Sequence, residues 1–125
     1  VKVCQKHLLK VCGDIKANNK VKTYWGDAFE SIKKVKNSKY DKIFVDLNDD
    51  QFCIDLAAKN MKGLKRILKP GGIITAQVGC MSKKPKQVKN WLELLKNNFG
   101  NVTLDEIFIP SFDCKWNFAS SLNKN

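Results

Sequence analysis

The sequence predicts an α/β domain with a mainly parallel sheet and a C-terminal antiparallel hairpin. Three observations predict it. Stretches with apolar residues at helical spacing alternate along the chain with short β-rich runs. Ile43-Phe44-Val45 is a continuous apolar run of the kind shown by a parallel strand covered on both faces. Two last β-like runs are separated by about six residues, a length that suits an antiparallel pair.

Taken in order, Val1, Cys4, Leu8 and Val11 recur at helical spacing and Gly13 supplies a stop, so residues 1–12 read as a helix. Val21–Trp25 is a short β-rich run ended by Gly26. Asp27 is an N-cap residue opening a helix with Ala28, Ile32 and Val35 on one face. After the polar turn Asn37–Lys39, Tyr40–Asp46 reads as a strand. Ile54, Ala57, Ala58, Met61, Leu64 and Leu68 define an amphipathic helix closed by Lys69-Pro70-Gly71-Gly72, and Gly72–Val78 is the next strand. Pro85 opens a helix whose apolar face is Val88, Trp91, Leu92, Leu95 and Phe99, and Gly100 ends it. Val102–Ile109 and Trp116–Leu122 form the closing hairpin, which inserts one antiparallel strand. Such alternation implies right-handed crossovers between parallel strands. No repeat, linker or low-complexity stretch divides residues 1–125, which read as one domain.

Composition narrows the function classes. At 43% hydrophobic and 10% aromatic residues the chain reads as soluble and globular. No apolar run approaches the roughly 18 residues that would span a bilayer, so no membrane partner is expected. The formal net charge is +11, but of 23 basic residues only Arg66 is arginine. Phosphate and base recognition favours arginine's planar fork, and the lysines are dispersed, so a solvated lysine coat is expected in place of a nucleic-acid surface. The five cysteines (Cys4, Cys12, Cys53, Cys80 and Cys114) include no CxxC pair, and His7 is the only histidine, so no metal site is expected. His7, on a lysine-rich helix, reads as a surface residue. An odd number of cysteines and no secretory pattern imply reduced thiols and a cytoplasmic protein. The opening VKVCQKH lacks an initiator Met and already looks helical, which suggests a piece of a longer protein.

Ligands of open α/β sheets bind at the carboxyl ends of the strands. Three such ends carry polar residues here: Gly26-Asp27, Asp46-Leu47-Asn48-Asp49-Asp50, and Gln77-Val78-Gly79-Cys80. Residues 41–55 hold five of the 12 acids against the single Lys42. Asp50 and Asp55 read best as turn or cap residues. Asp46 directly follows Ile43-Phe44-Val45 and should be partly buried, where a carboxylate needs a cationic partner that a ligand could supply. Asp27 fits both a helix cap and a ligand contact.

YDKIFVDLNDD, the helix end LKRILKPGG and the strand IITAQVG together resemble the core of the polyamine aminopropyltransferases, the family of the spermidine synthases. VKVCQKHLL is similar to the helix after the family's ribose-binding acid, VKTYWGDAFE to its GDG/GDA-F segment, and IPSFDCKWNFASS to its PTYPSG-x-x-GF-x-x-SK hairpin. Coverage is almost the whole chain. The resemblance implies a partial Rossmann-like, class I methyltransferase-type sheet. The family's glycine-rich GGGDGG turn, its ribose-binding acid and its N-terminal β-domain would lie upstream of Val1.

The implied reaction moves an aminopropyl group from decarboxylated S-adenosylmethionine, a co-substrate, to putrescine, giving spermidine and methylthioadenosine. No metal or redox cofactor is required, and the parent protein would be a dimer. By position, Asp46 resembles the acid that takes a proton from the attacking amine, Asp49 an amine-binding partner, and Gln77 a substrate-pocket residue. Asp27 and Ala28 resemble the segment that contacts the nucleoside, and Phe112 stands where the family's hairpin has a tyrosine. The chemistry suits the residue types. A diamine protonated at neutral pH must lose a proton before one nitrogen attacks, and one carboxylate can take that proton while a second anchors the distal ammonium. Departures are visible too: the family's D-S-S-D-P reads Asp46-Leu47-Asn48-Asp49-Asp50 here, and Val78-Gly79-Cys80-Met81 replaces an acidic residue and a tryptophan after Gln77. Two other functions fit the same pattern. LKPGG and an aspartate after a strand also occur in class I S-adenosylmethionine-dependent methyltransferases, which would not need Asp49, and Phe112 with a shortened loop over the substrate would suit a non-catalytic, degenerate domain of this fold that binds a partner or polyanion.

Overall fold

The computed structural model describes residues 2–14, 17–48 and 50–124. Its elements are α1 (Lys2–His7), α2 (Leu9–Cys12), α3 (Ala28–Lys33), β1 (Tyr40–Val45), α4 (Gln51–Ile67), β2 (Leu68–Cys80), α5 (Pro85–Phe99), β3 (Val102–Ile109), a 3-10 turn (Pro110–Phe112) and β4 (Cys114–Leu122). The four strands form one sheet in the order β1-β2-β4-β3. β1 and β2 are parallel, and β4 runs antiparallel to both β2 and β3. The sequence-predicted insertion of one antiparallel strand is what the sheet contains. No helix among the described residues is long and apolar enough to cross a membrane.

The long elements follow from their apolar spacing. α4 buries Ile54, Ala57, Met61, Leu64 and Ile67, and α5 buries Val88, Trp91, Leu95 and Phe99. Pro85 starts α5, and Gly100, at φ 92°, ends it by returning its N–H to the Lys96 carbonyl. On β2 alternate residues Ile74, Ala76 and Val78 are buried and meet these helices in one core with Phe29 of α3, Val45 of β1 and Ala119 of β4. β2 begins earlier than the sequence suggests, taking in Lys69-Pro70-Gly71-Gly72. The reason lies on both sides of that stretch. Gly71 donates to the Asn123 carbonyl, Asn123 donates back to Gly72, and a Cβ on Gly72 would stand 2.9 Å from the Asp41 carbonyl. A side chain there would push β1 off β2, next to the register shift between Tyr40 and Lys42.

Three further expectations are corrected. Val21–Trp25 forms no strand, and Tyr24 and Trp25 are 77% and 76% exposed. A β-rich run becomes a strand only beside a partner. None of the strands of the sheet β1-β2-β4-β3 pairs with residues 21–25. Second, the run Ile43-Phe44-Val45 is covered on one side only: Val45 is buried, whereas Phe44 is 75% exposed. α3, α4 and α5 all contribute to the core on the Val45 side, and no described helix covers the other face. The expected helix over residues 1–12 is interrupted at Leu8, whose ψ of 32° separates α1 from α2.

The one arginine has a structural task. The Arg66 guanidinium, on the last turn of α4, donates to the carbonyls of Val35 (2.6 Å) and Ile32 (2.8 Å) and to the Asn37 side chain (2.7 Å). It thereby closes the C-terminal end of α3, where carbonyls lack partners within the helix. An ammonium cannot span three acceptors in this fork. Arg66→Lys is therefore expected to lower stability by about 1–2 kcal/mol, read as a fall in melting temperature, whereas Lys→Arg changes on the exposed coat leave it unaltered.

Candidate active site

Parallel strands deliver their carboxyl ends to the same side of a sheet, and β1 and β2 do so with Val45 opposite Ala76. The next residues on each, Asp46 and Gln77, therefore sit side by side. β4 enters from the other edge of β2 in the opposite sense. Its register slips between Gln77 and Gly79, so that Phe118 faces Gln77 and Trp116 faces Cys80. That irregularity brings the Trp116 side chain back over Gln77. The result is a cavity of about 710 Å³ lined by Phe44, Val45, Asp46, Leu47, Asn48, Thr75, Gln77, Ile109, Phe112, Trp116 and Phe118. It lies on the face of the sheet that no described helix covers.

Gln77 is clamped at both ends of its amide. Its Nε2 donates to the Leu47 carbonyl, in the loop that carries Asp46, and its Oε1 accepts from the Trp116 indole at 2.7 Å. Strand, loop and hairpin are thus joined through one side chain. Beyond Trp116, the Phe112 ring packs at 4.4 Å between centroids, and the Lys83 ammonium donates to the Phe112 carbonyl at 2.8 Å. The hairpin turn is compact because Pro110 starts the 3-10 turn and Asp113 closes it in the left-handed region at φ 46°. On the opposite face of β4, Asn117 is fully buried and donates to the Gly79 carbonyl at 3.0 Å, fixing the irregular stretch of β2.

The structure brings three of the sequence-predicted residues together: Asp46, Gln77 and Phe112 line the one cavity. Asp46 is exposed, not partly buried, because the open sheet face leaves the mouth of the cavity in water. Asp49 lies outside the described residues. Asp27 and Ala28 are exposed and do not line this cavity. The Asp27 carboxylate caps α3, accepting from the N–H groups of Phe29 (2.7 Å) and Glu30 (3.3 Å). Asp50 caps α4 by accepting from Cys53 N–H at 2.9 Å, as its cap-like position implies. The expectation of reduced thiols is overturned for two of the five cysteines: Cys80 and Cys114 form a disulfide, with Cα atoms 6.4 Å apart. They come together because β2 ends where β4 begins.

Sequence reasoning passed over Trp116, Thr75 and Phe118. The alternation along β4 carried the signal, since Asn117, Ala119 and Ser121 are buried against the helices and the residues between them must face the other way. Chemically, the cavity combines aromatic walls with a carboxylate at its mouth. Ring faces and a carboxylate both attract an alkyl ammonium, and the walls match its methylene chain.

A family model for the spermine/spermidine synthase domain matches residues 1–125. The chain belongs to this family. The chain is similar to the polyamine aminopropyltransferase of Prochlorococcus marinus (strain MIT 9215), 31% identical over all of this chain and 46% of that protein. The corresponding protein of strain MIT 9301 is 30% identical over the same shares. The chain thus spans about half the length of these curated relatives. Among solved structures, a spermidine synthase in complex with the transition state analogue AdoDATO superposes with a TM-score of 0.82, at 16% identity, over 99% of this chain and 43% of that one. The spermidine synthase from Thermotoga maritima gives a TM-score of 0.74 at 17% identity, over 99% and 40%. The mostly parallel core with its inserted antiparallel strand is the Rossmann-like sheet of that fold.

Two outcomes are expected from this geometry. Gln77→Leu leaves the Trp116 indole N–H and the Leu47 carbonyl without partners, so the chain loses about 1–3 kcal/mol of stability and its tryptophan emission shifts to the red. The Cys53 N–H holds the Asp50 carboxyl below the usual carboxylate range. A lowered folded-state value contributes stability that is present above the unfolded aspartate's titration and is lost as pH falls through the folded-state value. Melting temperature should therefore drop on acidification below about pH 4, and Asp50→Ala should remove part of that dependence while lowering the plateau at neutral pH.

Proposed function

We propose that the protein carrying this chain transfers an aminopropyl group from decarboxylated S-adenosylmethionine to a diamine, putrescine, releasing methylthioadenosine. The observation that carries this reading is the meeting of Asp46 with Gln77, Phe112 and Trp116 in one aromatic-walled cavity at the strand ends. The family and the names of the relatives support it.

In the proposed reaction the amine nitrogen attacks the methylene bonded to the sulfonium. The new C–N bond forms as the C–S bond breaks, and the sulfur leaves as a neutral thioether. The Asp46 carboxylate takes the proton that the amine must shed. Asp49 is proposed to anchor the distal ammonium. Gln77 is assigned a different role from that of a ligand contact. With both ends of its amide bonded to protein, it positions the Leu47 backbone, and with it Asp46, against the hairpin. Phe112 and Trp116 would flank the methylene chain of the diamine, and Asp27 with Ala28 would meet the nucleoside.

In the intact protein, Asp46→Asn should lower kcat by about 10²–10⁴-fold with methylthioadenosine affinity nearly unchanged. Retained turnover would remove Asp46 from the proton-accepting role. Binding separates the reaction classes: decarboxylated S-adenosylmethionine and methylthioadenosine should bind more tightly than S-adenosylhomocysteine, and the reverse order would favour methyl transfer.

A further inference from the structure

We propose that Cys80 and Cys114 are a reversible thiol–disulfide site that governs the aromatic wall of the cavity, and that its exchange partner is a small thiol and its disulfide. Cys80 is the last residue of β2 and Cys114 the first of β4, 34 positions further along the chain. Between Ile109 and Cys114 the polypeptide leaves the β3–β4 ladder for the exposed turn that carries Phe112. The bond fastens the end of this turn to the end of β2.

The sheet does not need the bond to hold its register. β2 and β4 are paired from Ile73–Leu122 to Cys80–Trp116, and β3 and β4 from Val102–Ser121 to Ile109–Cys114. Among the described residues the Phe112 carbonyl also accepts from Lys83, just beyond β2, and the Phe112 ring packs on Trp116 of β4. Cleaving the bond therefore leaves the ladders paired and the turn held by these two weaker contacts, so that it opens more often. Both sulfurs are also shielded, with Cys80 2% and Cys114 5% exposed. A thiol reaches them only when the turn lifts, so bond state and wall position are coupled by access. The Ser82 hydroxyl stands 3.1 Å from the Cys80 sulfur and 3.7 Å from the Cys114 sulfur. A hydroxyl at that place can donate to whichever sulfur carries negative charge during exchange.

The exchange balances. A small thiolate attacks one sulfur, the S–S bond breaks, and the other cysteine leaves as a thiolate that takes up a proton. A second small thiol attacks the mixed disulfide and releases the small disulfide. Two thiols are oxidised and the protein disulfide is reduced by the same two electrons; the reverse sequence reforms the bond. Trp116 holds Gln77, and Gln77 holds the loop of Asp46, so movement of the wall reaches the proposed amine site. That last consequence rests on the proposed function; the redox chemistry does not.

The test equilibrates the chain in glutathione buffers from reduced to oxidised, alkylates the thiols and maps the peptides without reduction. Cys80 and Cys114 should be linked at the oxidised end and separately alkylated at the reduced end. Chymotryptic cleavage after Phe112 should be about 10-fold faster in the reduced form, and Cys80→Ser/Cys114→Ser should match the reduced rate in every buffer. Because the reduced wild-type chain samples the same state, a double variant that fails to fold does not remove the test. Absence of the linked peptide at every ratio, its persistence at every ratio, or equal cleavage in both forms would overturn the proposal. In the intact protein, methylthioadenosine with putrescine should bind about 3–10-fold more weakly after reduction, and equal affinity in both states would overturn the coupling to the site. Absence of binding in both states would overturn the proposed function, while mapping and cleavage would still decide the redox site.

Discussion

The hydrogen bonding of β2 along both its edges is the constraint on which the rest depends. One edge takes β1 in parallel, which obliges α4 to cross between them, and the other takes β4 in antiparallel, which delivers the hairpin. Side chains on a strand alternate, so the same residues that set the core set the cavity. Ile74, Ala76 and Val78 go to the helices, and Thr75 and Gln77 go to the open face. A slip of one residue would expose the first set and bury the second. Fold and candidate site are therefore two faces of one register, and neither can vary without the other.

Charge is distributed by the same logic. The chain carries +11, yet several of its charged side chains serve helix ends and the β1–β2 junction. Lys69 bonds Asp41 at 2.8 Å where β1 and β2 shift register, holding the Asp41 carboxyl below its ordinary range. Asp27 and Asp50 cap helices. Lys65 reaches the Asn98 carbonyl at 2.7 Å, tying α4 to the end of α5. Asp46 differs because it faces the cavity and not a helix end. In a lysine-coated protein, a carboxylate at the mouth of an aromatic cavity makes a local minimum of potential for a small cation, without requiring an acidic surface.

Much of this was legible in the sequence because the informative patterns are local. Helical spacing located α4 and α5 to within a few residues, and the rule that parallel strands end on one side placed Asp46 beside Gln77. What escaped depends on relations between distant residues. Whether Val21–Trp25 becomes a strand depends on a neighbour, not on its own β propensity. Phe44 looked buried because apolar runs signal coverage, but coverage is supplied by helices, which here share one side of the sheet. No spacing rule pairs Cys80 with Cys114. Their meeting follows from the point at which β4 joins β2, which is a property of topology.

The two hydrogen bonds of the Gln77 amide to protein change what a polar residue at a strand end can be taken to mean. A carboxamide in a cavity suggests a ligand contact until its partners are counted. Here the acceptor end is met by the Trp116 indole and the donor end by the Leu47 carbonyl, so Gln77 acts as a tie between three segments. The tie positions groups that have chemistry to offer a ligand: Asp46 on one side, and the tilted Phe112 and Trp116 rings on the other. A carboxylate held in a fixed relation to aromatic walls gains selectivity, because a flexible alkyl ammonium meets both only in one pose. The distance between loop and hairpin, set by one amide side chain, is then the dimension that decides what fits between Asp46 and the aromatic wall.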